Sequence, residues 1–205
     1  MDQRLSRYKA AMTEARPGPL KRLAAHLRLR WKSHLANLLL VLLVLAGVQL
    51  WQTREVPSGV APDLPVTLLR PDGSLASTTL AEWRALHPGQ AVAIHFWAEW
   101  CPICRTEEHS ITSLGRDWPV LTVAMQSGDA AKVSATLRQR DLPWITVIDP
   151  RGEITRAHGL QAVPAFLVID GQGRIRTPAV GYTTGIGMRL RLWWVSLESS
   201  VAGGR

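Results

Sequence analysis

This chain of 205 residues has only two cysteines, Cys101 and Cys104. A structural disulfide framework would need more cysteines at wider spacing. A zinc ribbon would need a second pair of cysteines or histidines at ligand spacing, and the sequence has none. Two interpretations of the pair remain, a redox-active dithiol or a two-thiolate site for a soft metal ion.

The larger part of the chain also has almost no net charge. Residues 35–205 hold fifteen Lys and Arg against fourteen Asp and Glu, although the whole chain has a net charge of +8. The excess lies in residues 1–34, which hold nine basic and two acidic residues. A nearly neutral domain has no electrostatic footprint for phosphates, so we expect no nucleic-acid partner.

A long segment without charge follows the basic one. No Lys, Arg, Asp or Glu occurs between Lys32 and Arg54. Trp31 and Trp51 are separated by about 30 Å along a helix that rises about 1.5 Å per residue, which is close to the thickness of a bilayer's hydrocarbon core. Aromatic residues at both ends fit the two lipid interfaces. We therefore expect a transmembrane helix over residues 35–53, with the lipid bilayer as a partner.

The distribution of basic residues predicts the orientation of this helix. Nine basic residues precede it and Arg54 alone follows closely, which places the basic tail, residues 1–34, in the cytoplasm and the rest of the chain outside. The alternative is a cleaved signal peptide, for which Val44-Leu45-Ala46 offers a cleavage pattern. A charged region of 34 residues is long for a signal peptide, which favours an uncleaved anchor.

One stretch of the basic segment has helical periodicity. Leu20, Leu23, Ala24 and Leu27 have the spacing of a single helix face, and basic residues flank them. Two interpretations remain open for this stretch. It is either a helix that lies on anionic lipid or a solvated tail that only sets the topology.

Beyond a linker at residues 54–61, strand and helix patterns alternate as far as residue 198, and residues 199–205 form a C-terminal tail. The predicted strands are Val66–Leu69, Ala91–Trp97, Val120–Met125, Trp144–Asp149, and a hairpin of Ala165–Asp170 with Arg174–Pro178. The predicted helices are Thr79–Leu86, Cys101–Leu114, a solvent-facing Asp129–Arg140, and Gly187–Leu197 with Leu190, Trp193, Trp194 and Leu197 as its apolar face. This alternation predicts an α/β sheet with helices on both sides.

The two cysteines belong to a motif, FWAEWCPIC over Phe96–Cys104, placed where a buried strand ends and a helix begins. FWAEWCxxC resembles the active-site signature of thioredoxins. WCPIC followed by RTE resembles the membrane-anchored thioredoxin-like proteins of the bacterial envelope, both the ResA/TlpA type and the suppressor-of-copper-sensitivity D type. Gly159–Asp170 resembles the family segment around a cis-proline that faces the cysteines. The resemblance covers residues 62–198 and implies a thioredoxin-like fold, with a central mixed sheet and helices on both faces.

The position of Cys101 favours its role as the nucleophile. The attacking species is a thiolate, and a free cysteine with a pKa of about 8.5 forms little of it at neutral pH. Unpaired N–H groups and the positive end of the dipole at the first turn of a helix stabilise the anion, and Cys101 occupies that position. Cys104 lies one turn further along and can resolve a mixed disulfide.

The resemblance implies further roles around the pair. Trp100 would cover one side of it, and Pro102, within the dipeptide between the cysteines, would tune its reduction potential. Pro164 would be the cis-proline beside Cys101. Val163 would offer backbone groups to an extended substrate, in the manner of strand addition at a sheet edge.

Two ionisable residues near the motif are candidates for handling protons. His95 occupies the position at which thioredoxins carry a buried acid, and it could accept the proton of Cys104 or be an ordinary strand histidine. Glu107 matches a carboxylate that ResA-type proteins use near the site, or it is a surface acid. His109 stands where relatives have a helix-kinking proline, which brings the shape of the helix into question. Glu99, His87 and His158 are interpreted as surface residues.

The resemblance implies thiol–disulfide exchange at the bacterial cytoplasmic membrane, with the catalytic domain in the periplasm and no cofactor or resident metal. The expected partners are extracytoplasmic protein substrates with cysteines and a transmembrane thiol electron donor or acceptor. Tethered relatives are often reductases, which favours that direction over oxidase or isomerase activity. The alternatives are a copper-binding or soft-metal module, for which no Met-rich or His-rich tract is present, and a redox-inert adaptor.

Overall fold

The structure, a computed structural model, describes the backbone of residues 19–202 and the side chains of residues 31–198. It divides into two units, one ending at Val48 and the other beginning at Gln49. Most of the cytoplasmic tail predicted for residues 1–34 lies outside the part whose side chains are described, as do the alternatives weighed for Leu20–Leu27.

The chain's long helix is α1, Pro19–Thr53. Its segment Trp31–Thr53 has a mean hydropathy of 2.0 and is long and apolar enough to cross a membrane, and its apolar side chains are exposed. The apolar segment that predicted a transmembrane helix over residues 35–53 therefore lies within one continuous helix.

The second unit is built on a sheet of seven strands. These are β1 Pro65–Leu69, β2 Leu75–Thr79, β3 Val92–Trp97, β4 Val120–Met125, β5 Thr146–Asp149, β6 Ala165–Ile169 and β7 Ala179–Val180. Their order is β2-β1-β5-β4-β3-β6-β7. The central strands β3, β4 and β5 run parallel and the other pairs are antiparallel, so the mixed sheet that the sequence predicted is confirmed.

Helices cover both faces of the sheet. They are α2 Leu80–Ala85, α3 Pro102–Leu114, α4 Ala130–Gln139, α5 Glu153–Ala157 and α6 Gly185–Ala202. Alternate residues of β3 pack into two separate cores, because successive side chains of a strand point to opposite faces of the sheet. Ala93 and Trp97 join the core beneath α3, α4 and α6, and Val92, Ile94 and Phe96 join the core beneath α2 and α5.

The predicted hairpin of β6 is confirmed in part. Arg174–Pro178 runs antiparallel to β6 through the bridge between Ile169 and Ile175 and a few backbone hydrogen bonds, but the regular strand that pairs with β6 is the short Ala179–Val180. The carboxylate of Asp170 stabilises the turn of this hairpin, since it accepts the backbone N–H of Arg174 at 2.9 Å.

Two helix faces also differ from expectation. The helix α4 is not wholly solvent-facing, because Val133 and Leu137 are buried. In α6 the predicted apolar face is exposed, and a second stripe packs against the core instead. The exposed stripe consists of Ile186, Leu190, Trp193, Trp194 and Leu197, and the buried stripe of Met188, Leu192 and Val195. Both stripes follow helical spacing, and the sequence pattern alone does not say which one is buried.

Candidate functional site

The site lies where β3 ends and α3 begins. Cys101 is the N-cap residue of α3, with extended backbone (φ −86°, ψ 110°), and Pro102 follows at the first helical position. Proline suits this position, because its fixed φ is helical and its missing N–H would have had no partner there. Cys101 Sγ accepts the backbone N–H of Cys104 at 3.1 Å, so the sulfur takes the place of the usual capping oxygen.

Cys101 and Cys104 form a disulfide, with their Cα atoms 5.3 Å apart. That separation is ordinary for a disulfide, so α3 needs no distortion to place the two sulfurs in bonding contact. Both residues are buried, Cys101 at 4% exposure and Cys104 at 2%. Cys101 is thus the slightly more exposed of the two, and Cys104 lies about one helical turn further along α3.

Hydrogen bonds hold the segment that precedes Cys101. The indole Nε1 of Trp100 donates to the backbone oxygen of Gln126 at 3.2 Å, and the backbone N–H of Glu99 donates to Ser127 Oγ at 3.0 Å. Both partners lie just beyond β4, which runs parallel to β3 and ends beside it. The indole of Trp100 is thus fixed at the protein surface beside the disulfide.

Arg140, at the end of α4, connects this segment to α3. It donates to the backbone oxygen of Glu99 at 2.9 Å and to the carboxylate of Glu108 at 2.8 Å. The Arg140 side chain is largely buried, so this bidentate bridge positions the loop before Cys101 relative to α3. Arg140 was not among the candidates from the sequence, because no local motif distinguishes it from the other arginines.

The loop before β6 lies on the other side of Cys101. The Val163–Pro164 peptide bond is cis, as the resemblance implies, and the carbonyl oxygen of Val163 is 3.8 Å from Cys101 Sγ. Pro164 is buried and its carbonyl oxygen accepts the N–H of Gly181 at 2.8 Å, which connects the loop to the end of β7. Within the described part of the chain, the N–H groups of Ala162 and Val163 donate no hydrogen bond to a backbone oxygen.

Exposed apolar side chains lie on the elements that meet at the disulfide. Trp100 and Ile103 are more than half exposed, and so is Tyr182 in the loop after β7. Thr183, next to Tyr182, donates its backbone N–H to Glu107 on α3, which brings this loop against the same helix. Large apolar groups at a surface are typical of contacts with another protein.

Beneath this surface lies a buried pair of ionisable residues, His95 and Glu107. His95 is 0% and Glu107 1% exposed, and His95 Nδ1 is 3.8 Å from Glu107 Oε2. Glu107 Oε1 accepts the N–H of Thr183 at 2.5 Å, whereas Oε2 and both imidazole nitrogens have no hydrogen-bond partner among the residues that the structure describes. The ring of Trp144 meets His95 edge-on, with centroids 6.1 Å apart, and helps to exclude water.

Burial determines the protonation of this pair. Loss of hydration raises the pKa of Glu107 to about 7, although the N–H of Thr183 opposes the rise. The same loss lowers the pKa of His95 to about 3. The 3.8 Å separation would suit an ion pair, but removal from water favours the neutral form of each group. We therefore assign the pair as a neutral imidazole beside a carboxyl group that is about half protonated at neutral pH and protonated below it.

The remaining sequence candidates lie away from this cluster or differ from expectation. His109 is exposed on α3, which continues unbroken to Leu114 without the proline of its relatives. His158 is buried rather than at the surface, with its ring 5.4 Å from that of Phe96 on the opposite face of β3. Among the described residues, no three His, Cys, Asp or Glu side chains gather into a group that could hold a metal ion.

Comparison with known proteins finds similarity to thioredoxin-like and thiol:disulfide interchange proteins. A model of the AhpC/TSA family matches residues 59–177. The chain is 28% identical over 155 residues to the thiol:disulfide interchange protein HelX of Rhodobacter capsulatus, which covers 71% of this chain and 86% of that protein. It is 29% identical over 111 residues to a thioredoxin-like protein of Haemophilus influenzae, covering 54% of this chain and 66% of that protein, just under two thirds.

A solved structure agrees on the fold. The exposed lipoprotein thioredoxin Etrx1 of Streptococcus pneumoniae superposes with a TM-score of 0.55 at 20% identity, over 65% of this chain and 99% of that protein. At this level of identity the likeness concerns the fold alone. It shows that the mixed sheet and its helices have the thioredoxin-like arrangement that the sequence resemblance implied.

Proposed function

This chain belongs to the AhpC/TSA family, whose domain is thioredoxin-like, and from that premise we propose that it is a membrane-anchored protein-disulfide oxidoreductase. The observation that carries the proposal is the state of Cys101. It caps α3, is bonded to Cys104, and lies 3.8 Å from the carbonyl oxygen that precedes the cis-proline. This geometry supports a reversible dithiol and disulfide that a second protein can reach.

In the reducing direction the reaction begins with both cysteines reduced. The Cys101 thiolate attacks one sulfur of a substrate disulfide, and the other sulfur leaves as a thiolate that takes up a proton. Cys104 then loses its proton and attacks Cys101 Sγ, which breaks the intermolecular bond and releases the second substrate thiol. Two electrons pass from the dithiol to the substrate, and the Cys101–Cys104 disulfide seen in the structure is the product.

Glu107 is the proposed acceptor of the Cys104 proton. It lies three residues after Cys104 on α3, so the two side chains share one face of the helix, and both are buried. Burial raises the pKa of Glu107 to about 7, so a useful fraction is ionised at neutral pH and can accept a proton. His95, 3.8 Å away, provides a neutral neighbour for the carboxyl group once it is protonated.

We propose that the protein works as a reductase on extracytoplasmic protein substrates. Names such as thiol:disulfide interchange protein among its relatives support exchange, and the tethered relatives it resembles support the reducing direction. The basic N-terminal segment and α1 support a single-pass anchor with the catalytic unit in the periplasm. A transmembrane thiol donor would restore the dithiol after each turnover.

The function is tested with the full chain in lauryl maltoside micelles. We expect equilibration with glutathione to give a reversible two-electron couple. Cys104→Ser is expected to accumulate a mixed disulfide at Cys101, and Cys101→Ser to accumulate none. Failure of the first variant to trap a substrate, or equal trapping by both variants, would contradict the assigned roles.

The copper-binding alternative predicts a different outcome for the same preparation. A soft-metal module would bind one Cu(I) tightly through the two thiolates and exchange disulfides slowly. We expect the opposite, namely rapid exchange with a low-molecular-weight disulfide. A stoichiometric Cu(I) complex that resists competition by millimolar glutathione, together with slow exchange, would favour the metal module.

A further inference from the structure

A cleft of about 320 Å³ lies in the second unit, next to the loop that carries the cis-proline. Its lining comes from two parts of the chain that are far apart in sequence. The last turn of α1 contributes Trp51 and Gln52, and the residues that follow it contribute Arg54 and Glu55. The region around the cis-proline loop and β7 contributes Gly159, Gln161, Ala162 and Val180. All of these residues belong to the unit that begins at Gln49.

The wall formed by residues 51–55 is held firmly against the loop. Gln161 Nε2 donates to the carboxylate of Glu55 at 2.7 Å. Gly159 has a φ of +70°, and a Cβ atom there would come within 2.8 Å of Val56 Cα and collide with the backbone carbonyl of Glu55. Val56 itself is buried in the core beneath α2 and α5. The cleft is thus a built feature of the fold, formed by two segments in direct contact.

The chemistry of the cleft favours an uncharged side chain as its occupant. The guanidinium of Arg54 stacks over the Trp51 ring at 5.0 Å and lies 3.5 Å from the carboxylate of Glu55, which Gln161 also engages. The two charges therefore offset each other, and neither is left for a phosphate group. What remains is the aromatic surface of Trp51 with a polar rim, which suits a large apolar or aromatic side chain.

The position of the cleft relative to Cys101 points to a polypeptide occupant. Val163 O is 3.8 Å from Cys101 Sγ, and Ala162 and Gln161 are the next residues back along the chain. Ala162 and Gln161 are exposed, and the N–H of Ala162 donates to no backbone oxygen among the described residues. An extended peptide paired with this loop at about 3.3 Å per residue would reach the cleft two to four residues from its cysteine.

We propose that the cleft is a substrate subsite for a large apolar or aromatic side chain located two to four residues from the substrate cysteine. The inference rests on the proposed function, because it assumes that an extended protein substrate is bound beside Cys101. In this proposal, residues 51–55, at the end of α1 and just after it, contribute to substrate selection as well as connecting the catalytic unit to the anchor. Trp51 is the residue on which the preference depends.

The test uses the reduced full chain in lauryl maltoside micelles and decapeptides whose single cysteine is a mixed disulfide with glutathione. Each peptide carries either Phe or Ala at one position, two, three or four residues before or after the cysteine. In a single turnover, the rate at which glutathione is released as the dithiol becomes a disulfide gives the second-order rate constant for every peptide. We expect one Phe peptide to exceed its Ala counterpart about tenfold, which corresponds to burying roughly half of an aromatic side chain.

Trp51→Ala is expected to bring the ratio for Phe over Ala to within twofold of one, and Gln161→Ala to lower it partly. Trp31→Ala is the matched control, since Trp31 is also an exposed tryptophan of α1 but does not line the cleft. The Trp31 variant is expected to retain the wild-type ratio. Because the readout is a ratio within one variant, a general loss of folded protein does not mimic the effect.

Three results would overturn the subsite. One is a ratio close to one for every peptide with the wild type, and another is an unchanged ratio in Trp51→Ala. The third is loss of the wild-type preference in nanodiscs containing phosphatidylglycerol, together with quenching of Trp51 by a brominated form of that lipid, which would identify a lipid headgroup as the occupant. A wild type that exchanges with none of the peptides and not with glutathione disulfide would instead contradict the proposed function.

Discussion

The neutral pair formed by His95 and Glu107 predicts an unusual dependence of stability on pH. Burial raises the pKa of Glu107 from 4.5 to about 7 and lowers the pKa of His95 from 6.5 to about 3. Between pH 4.5 and 6.5 the unfolded chain therefore holds one proton on the imidazole, and the folded chain holds one proton on the carboxyl group. The proton counts are equal, so the pair contributes no slope to the free energy of unfolding in this window.

Single substitutions remove this balance in opposite directions. Glu107→Gln keeps an oxygen for the N–H of Thr183 but leaves His95 as the group that gains a proton on unfolding, so stability falls as the pH falls from 6.5 to 4.5. His95→Leu leaves Glu107, which is protonated only in the folded state over this range, so stability rises as the pH falls. At about 1.36 kcal/mol per pH unit, each change amounts to at most about 2.7 kcal/mol across the window.

The measurement is urea unfolding of the oxidised full chain in lauryl maltoside micelles at pH 4.5, 5.5 and 6.5, followed by tryptophan fluorescence. Other titrating groups affect all three proteins alike, so the differences between the curves isolate the pair. Curves for both variants that run parallel to the wild type within about 0.5 kcal/mol would refute the burial argument. An NMR signal from a protonated His95 imidazole in the folded wild type at pH 5 would show an ion pair instead.

Three further predictions concern packing and positioning. Leu192→Ala on the buried stripe of α6 should cost about 2–5 kcal/mol in urea unfolding, whereas Leu190→Ala on the exposed stripe should cost less than 1 kcal/mol. Gly159→Ala should lower the melting temperature far more than Gly73→Ala, because both have positive φ but only the first would meet backbone atoms. Arg140→Ala should slow the reduction of glutathione disulfide, since the loop before Cys101 loses its bridge to α3, and an unchanged rate would contradict that positioning role.

Much of the fold was predictable because its signals are local. The strands predicted at β3 and β4 and the predicted start of α3 lie within one residue of the observed bounds. The reason is that buried central strands are continuously apolar and that a capping residue marks the start of a helix. The pairing of β6 was predictable only in part. The hairpin turn held by the Asp170 carboxylate is local, whereas the regular ladder with Ala179–Val180 has no comparable signal along the chain.

The cysteines of the candidate site were visible in the sequence, and so were His95 and Glu107 as separate candidates, whereas the contact between these two residues required the fold. His95 and Glu107 are 12 positions apart, and only the packing of α3 on one face of β3 brings them within 3.8 Å. Arg140 carries no sequence signal, because a bridge to a backbone oxygen 41 residues away leaves no pattern along the chain. The apolar outer face of α6 was visible in the sequence as a stripe of helical spacing. Periodicity alone could not decide whether this stripe or the parallel one, which packs against the core, would be buried.

That outer face of α6 has a practical consequence for handling the protein. Two tryptophans, two leucines and an isoleucine facing water make a patch of the kind that brings molecules together as their concentration rises. Removal of the apolar segment of α1 would therefore not by itself yield a protein that stays free of aggregates in aqueous buffer. Surfactant would still be needed, on account of the globular part itself.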